Sequence, residues 1–397
     1  MKTLRELYVI GSGPSSSHTI GPEKASKYMK DKYPNASFKV YLYGSLALTG
    51  KGHLTDYIIL KTLGEDRTEL YFDLNKELDH PNTFLIQAYD NDVLIGEQEF
   101  ISVGGGALKF IGTEDQEIKD IYPFNSFKDI VKYVKERNID LAEVCYEYED
   151  SGVKTYLLEV YNVMKSAIKR GLEKDGVLPG KLRVPRKAYQ LKSPLRDNES
   201  QSTKERRILS SYAYAVSEEN ASGGTIVTAP TCGACGILPA VLLYLQETLN
   251  LSDDKMCDAL AVASLFGNLI KKNASISGAF AGCQAEVGSA CSMAAAASAY
   301  LYGLNVDQIG CAAEIAMEHF LGLTCDPIDG LVQIPCIERN AVAALRAIDA
   351  SMLAEYVTEE SLISFDTVIH TMYETGKDLK QDYRETAIGG LAKHYKC

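Results

Sequence analysis

The sequence is short of positive charge. Across 397 residues, 41 Lys and Arg face 53 Asp and Glu, a formal net charge of -12. A surface of that sign repels phosphate backbones, so nucleic acid is excluded as a main partner. An apolar leader is missing too: Met1-Lys2-Thr3-Leu4-Arg5-Glu6 has no signal core, and a cytoplasmic protein is expected. The ten cysteines are then read as reduced thiols or metal ligands, not as a disulfide framework. Long unbroken apolar runs are absent. Two charge-free windows, 226–246 and 287–306, are long enough to raise the membrane question. The first is broken by Pro230 and Pro239, and the second is mostly Ala, Ser, Gly and Tyr, so both are expected to be buried segments of a soluble protein. No internal repeat is found. With 46% hydrophobic and 24% charged residues, the chain has a globular composition and room for more than one domain.

The order of patterns gives an α+β fold: an N-terminal α/β domain to about residue 130, then a mostly helical domain over 131–397. Phe38-Lys39-Val40-Tyr41-Leu42 alternates as a half-buried strand does, and 83–89 and 93–103, joined by Asp90-Asn91-Asp92, form a hairpin pattern. Helices are predicted for 22–32 and 127–137. After residue 130 the strand signals fade. A single apolar stripe runs from Val153 to Ile168, and further helices are predicted from Asp253 or Asp254 to Leu269, from Asp307 to Phe320 and over 366–379. The stretch 181–207, with nine Lys or Arg against three acids, is expected to be an exposed connection.

Three constellations carry chemistry. In Gly11-Ser12-Gly13-Pro14-Ser15-Ser16-Ser17-His18-Thr19-Ile20-Gly21-Pro22, hydroxyls and an imidazole precede a helix whose free N–H groups favour an anion, although the same serines serve as an ordinary helix cap. Gly44 to Asp56 follows a strand and is read as a ligand-facing loop. It is not a phosphate loop, because Gly52 stands where a hydroxyl must follow Lys51. Within it, His53 is a candidate proton carrier, set against an ordinary structural histidine. His80-Pro81-Asn82 and the glycines 104–106 add a third histidine and a close-approach loop. Cys283, Cys325 and Cys336 lie in separate turn-like contexts suited to a soft metal or an iron–sulfur cluster. Cys232-Gly233-Ala234-Cys235 has dithiol spacing, and Cys145, Cys257, Cys291 and Cys311 read as small buried hydrophobes.

Together these segments resemble the bacterial iron–sulfur L-serine dehydratases (L-serine ammonia-lyases), in the form with β and α parts fused. The resemblance rests on 13–19, 44–53, Thr228-Ala229-Pro230-Thr231, Lys272-Asn273-Ala274-Ser275-Ile276-Ser277-Gly278, Gly282-Cys283-Gln284 and 318–340, in family order along nearly the whole chain. It implies conversion of L-serine to pyruvate and ammonia, and a [4Fe–4S] cluster held by Cys283, Cys325 and Cys336. A C-terminal cysteine, here Cys397, would be a displaceable fourth ligand. His53 would be the base with His80 in support. Ser15, Ser16, Ser17, His18 and Thr19 would hold the substrate carboxylate, with Lys272, Asn273, Ser275 and Ser277 lining the same pocket. A homodimer is expected. Cys232 stands where many members have Asn, Ala387 where Ser is common, and the N-terminal domain is shorter than in longer members. Rival readings are a cysteine desulfidase with the same cluster logic, a pyridoxal-phosphate lyase using Lys51 or Lys272, and a non-catalytic amino-acid or redox sensor.

Overall fold

In the strand Ser37–Tyr43, burial falls on Phe38, Val40 and Leu42, the period-two pattern of a strand with one face on a core. A computed structural model describes residues 1–80, 82–112 and 119–395 of the chain. Its strands are β1 (Ile10–Ser12), β2 (Ser37–Tyr43), β3 (Thr68–Asp73), β4 (Thr83–Asp90), β5 (Val93–Gly104), β6 (Ala107–Ile111) and β7 (Thr225–Val227). Five of them form a mixed sheet in the order β3-β2-β4-β5-β6; β2 and β3 are parallel and the other neighbours antiparallel. The expected hairpin is β4–β5, closed by Asn91 and Asp92, both at positive φ as a tight primed turn requires. Helices Gly21–Lys32 and Thr55–Leu63 cover one face of the sheet. Ala25, Met29, Ile58, Ile59 and Leu63 meet Phe38, Val40, Phe84, Ile86 and Phe100 there in a small core of their own.

The larger core is helical. Helix Ser289–Leu301 is buried along its whole length and is packed by helices Ile237–Leu249, Asp253–Asn273, Val306–Glu318 and Cys336–Val357. Its small side chains let those neighbours approach closely, which accounts for the charge-free window. Among the described residues no helix is long and apolar enough to cross a membrane. Helix Phe127–Arg137 has the residues predicted for it, with a Ser126–Asp129 capping box. The fold is α+β.

The helical core also takes in the start of the chain. Met1, Leu4, Leu7 and Tyr8 are buried in it, and β1 pairs antiparallel with β7. The chain therefore begins in the helical core, leaves to build the sheet, and returns at Tyr122.

Two readings are corrected. Residues 44–56 are not a loop: Gly44–Thr49 is helical, 50–54 form a turn, and Thr55–Leu63 is the next helix. Ser45 to Thr49 lacks a breaker and buries Leu46, while a Cβ on Gly50 would lie 2.2 Å from the Leu46 carbonyl oxygen. The stretch 181–207 is only partly a connection. It contains helix Ala188–Leu191, and from Gln201 it is the exposed first turns of helix Gln201–Ala221, capped by Ser200.

Candidate active site

Where β1 ends, the chain turns sharply into the serine segment. A Cβ on Gly13 would lie 2.3 Å from the Asn220 backbone oxygen, so only glycine fits, and Asn220 Nδ2 donates to the Pro14 carbonyl at 3.0 Å. Ser15 then caps one wide turn, Ser16–Ile20, accepting from the His18 N–H, and this turn runs on into helix Gly21–Lys32 with Pro22 in its first turn. Ser15, Ser16 and Ser17 are buried and line an enclosed cavity of about 30 Å³. Hydroxyls at the head of a helix make that wall suited to an anion.

His18 and Thr19 stand behind this wall. His18 is held at both ring nitrogens, Nδ1 to Ser17 Oγ at 2.9 Å and Nε2 to Ser45 Oγ at 3.1 Å. Thr19 Oγ1 donates to the His53 carbonyl at 2.9 Å, and Thr55 Oγ1 donates to the His18 carbonyl at 2.7 Å. These bonds tie the serine turn to the turn that carries His53. His53 lines the cavity, is 1% exposed, and has no hydrogen-bond partner on either ring nitrogen among the described residues. Burial pushes its imidazole down to about 4, so the ring is neutral at pH 7 and free to accept a proton. His18 is pushed well below the usual range by burial and then by His53.

Cys325 and Cys336 line the same cavity, and Cys283 stands beside Cys325. Cys283 opens the wide turn Gln284–Gly288 that leads into the buried helix, and Cys336 is the first residue of helix Cys336–Val357. Cys325 is bracketed by the chain's last segment: its N–H donates to the Tyr383 carbonyl and its carbonyl accepts from the Glu385 N–H, both at 2.8 Å. Glu286 sits among them. Its Oε1 accepts from Thr231 Oγ1 at 2.8 Å, and its Oε2 lies 4.0 Å from Cys283 Sγ and 3.9 Å from Cys325 Sγ. One donor atom from each of Cys283, Glu286 and Cys325 falls within 4.8 Å of the others. Cys336 lines the same cavity. A Cβ on Gly278 would lie 2.6 Å from the Glu286 carboxylate and 3.2 Å from Cys325 Sγ, so this packing needs glycine. The proximity of Cys283, then burial, pushes the Cys325 thiol up; burial, then Cys283, does the same to Cys336. A group that binds thiolates would reverse both shifts.

Sequence reasoning missed two residues of this site. For Glu286, the three-residue offset from a cysteine that opens a turn is the available signal. Glu385 gave no signal. It lies at φ +60, a conformation that costs a non-glycine residue about 1–3 kcal/mol, and it lines the cavity. Burial and the nearby Glu286 push its carboxyl up to about 8.

The other expected residues lie elsewhere. Lys272 is exposed and pairs with Asp120 at 2.7 Å, and the exposed Asn273 donates to the Asn125 carbonyl. Neither lines the cavity. Ser277 does, while Ser275 accepts from its N–H at 3.0 Å and so shapes the turn. His80 is half-buried outside the cavity wall, its Nδ1 accepting from the Asn82 N–H. Cys397 lies outside the described residues. Cys232 and Cys235 are free, buried thiols in an apolar cluster with Ala167, Ile168 and Val216, and burial pushes both up, the environment of unreactive cysteines.

Two family comparisons match successive parts of the chain. Residues 3–73 match the family described as Serine dehydratase beta chain, and residues 103–392 match Serine dehydratase alpha chain. L-serine dehydratase 2 of Escherichia coli is 41% identical over 448 aligned positions, covering 99% of this chain and 98% of the relative. The L-serine dehydratase of Haemophilus influenzae is 40% identical with complete coverage of both, and that of Helicobacter pylori is 39% identical over 100% and 99%. Both matches fall on this one chain, and the chain belongs to the serine dehydratase family.

Proposed function

We propose that the chain is an L-serine ammonia-lyase that eliminates water from L-serine to give pyruvate and ammonia. One observation carries the reading. A histidine with both ring nitrogens free, a serine turn, Cys325 and Cys336 line one cavity, and Cys283 stands beside it, with donor atoms of Cys283, Glu286 and Cys325 within 4.8 Å of one another. The full-length similarity to relatives named L-serine dehydratase supports it.

The donor set fits a [4Fe–4S] cluster. Cys283, Cys325 and Cys336 would hold it, three soft thiolates supplied by separate turns. When bound, the cluster would supply a Lewis acid for the poor leaving group, the β-hydroxyl. By resemblance, Cys397 is the displaceable fourth ligand.

The protein's own residues supply the rest. The hydroxyls of Ser15, Ser16 and Ser17 bind the substrate carboxylate at the head of the helix. His53 takes the α-proton on a free ring nitrogen, and its neutral state at pH 7 follows from its burial. His18 and Thr19 do not touch the substrate in this scheme; they hold His53 in place through its ring and its carbonyl. Enclosure of the site keeps bulk water from the carbanionic carbon. The released aminoacrylate tautomerises and hydrolyses in water. In this scheme the 1–130 domain brings the base and the carboxylate site, and the 131–397 domain brings the cluster. Nine free, buried thiols among the described residues fit a reducing cytoplasm, and we place the enzyme there as a homodimer.

Anaerobic purification, an iron and sulfide count, and pyruvate formation from L-serine test this reading. About four irons per chain and turnover of L-serine are expected. Turnover of L-cysteine to sulfide without turnover of L-serine would replace it with the desulfidase reading; a sharp aldimine band in place of broad iron–sulfur absorption would replace it with a pyridoxal enzyme.

A further inference from the structure

The loop that carries Cys325 is held from two sides by the residue next to it. Asp326 is 4% exposed, and its two carboxylate oxygens face different parts of the chain. Oδ1 accepts from Arg339 Nη2 at 3.1 Å and from Thr324 Oγ1 at 3.2 Å, and Arg339 Nη1 donates to the Thr324 carbonyl at 2.6 Å. Arg339 belongs to the first turn of helix Cys336–Val357, so these bonds fasten the Cys325 loop to the helix that Cys336 opens. Oδ2 accepts instead from the Leu391 N–H at 2.8 Å. The terminal segment is thereby fastened to the same carboxylate, beyond the point where Tyr383 and Glu385 bond to Cys325 through their backbones. Gly390 shows that this approach is built into the chain: it lies at φ +54, and a Cβ there would collide with Asp326 Oδ2.

We infer that Asp326 is a positioning residue: with Arg339 it sets Cys325 against Cys336, and through Leu391 it seats the terminal segment beside them. The inference rests on the cluster reading above. A buried ion pair adds little net stability, because desolvation offsets its attraction, while removal of one partner strands the other. Its use here is geometric. A planar guanidinium that bonds a carbonyl and a carboxylate of one loop fixes the distance and the angle of that loop, which a point-like ammonium does not. Groups that hold metal ligands from behind control metal affinity roughly 10- to 100-fold although they touch no metal.

Two measurements on the metal-free, full-length chain test the two links. The first is cobalt(II) titration, read by thiolate-to-metal absorption, in a Cys397→Ser parent so that a terminal thiol does not enter. Asp326→Ala and Arg339→Met should each weaken cobalt(II) binding roughly 10- to 100-fold, and Arg339→Lys, which keeps the charge without the fork, should lie between. The double variant should bind within about threefold of the weaker single variant, because both changes break one unit. The second measurement is cleavage by trypsin. Asp326→Ala and Gly390→Ala should speed cleavage after Arg384 and Lys393 at least about tenfold and leave the rest of the chain intact, since only the seat of the terminal segment is lost. Circular dichroism shows whether the variants are folded. Should Asp326→Ala not fold, Arg339→Met carries the first measurement and Gly390→Ala the second.

Cobalt(II) binding within about threefold of the parent in Asp326→Ala or Arg339→Met overturns the inference. So do fully additive losses in the double variant, an unchanged cleavage rate in Gly390→Ala, or cleavage that rises throughout the chain, which would make the pair a general stabiliser. Absence of both cobalt(II) and iron from the unaltered chain would instead strike the cluster reading itself.

Discussion

The ring centroids of His18 and His53 lie 4.5 Å apart at an interplanar angle of 46°, and the two rings have opposite bonding. His18 is saturated by Ser17 and Ser45, while His53 is bare at both nitrogens. One ring is held and the other is free. Replacing His53 with Ala should lower turnover by roughly two to four orders of magnitude and leave iron content intact. A loss of less than tenfold would move the base elsewhere.

The same pair sets an acid limit on stability. Both histidines are depressed by burial, His53 to about 4, while the unfolded chain keeps the usual 6.5. Between those values the unfolded state binds more protons, so stability is full above pH 6.5 and is lost as pH falls toward 4. Melting of the metal-free protein at pH 7 and pH 5 should show this drop, and it should shrink in His18→Gln/His53→Gln. An equal drop in parent and double variant would assign the effect to other groups.

Each of Cys283→Ala, Cys325→Ala and Cys336→Ala should abolish bound iron and the broad visible absorption. Cys235→Ala makes the contrast: its thiol lies in an apolar cluster away from the cavity lining, so iron should stay and only stability should fall, by about 1 kcal/mol. Retention of full iron by any of the first three would remove that residue from the ligand set.

Gly278→Ala should cost iron although it removes no ligand. The added methyl would fall 2.6 Å from the Glu286 carboxylate and 3.2 Å from Cys325 Sγ. Metal titration of the variant, followed by absorbance, should show weakened loading; binding equal to the parent's would mean that the turn gives way.

Lys272→Ala should leave the KM for L-serine within about threefold, because an exposed pair with Asp120 contributes at most about 1 kcal/mol. A large rise in KM would return Lys272 to the substrate pocket.

Much of the fold was legible because its signals are local. The alternation over 38–42, the Asp90-Asn91-Asp92 turn and the stripe from Val153 each report burial within one element. Boundaries near caps were legible to within a residue or two: the helices predicted from Asp253 or Asp254 and from Asp307 begin at Asp253 and Val306, with Ser252 and Asn305 as the capping residues. Of the candidate site, the motifs point to residues that one cavity gathers at His53, Cys325 and Cys336. They fail where side-chain direction decides. Lys272, Asn273, Ser275 and Ser277 share one motif, yet the end of a helix sends the first two to Asp120 and Asn125 while only Ser277 reaches the cavity. Glu385 was invisible because nothing within its own segment records that its N–H bonds to the Cys325 carbonyl 60 residues earlier.

The first residues of the chain have a consequence for how it is made. Tyr8 donates its hydroxyl to the Leu260 carbonyl at 2.8 Å, a contact that spans 252 residues. During synthesis the opening segment therefore waits, unseated, until more than half of the polypeptide has left the ribosome, while the sheet over residues 25–110 has all of its own core in hand much earlier. The beginning of this protein is among the last parts of it to find its place. Substitutions that weaken only Leu4, Leu7 or Tyr8 should then speed unfolding more than they slow refolding, since their contacts form after the barrier has been crossed.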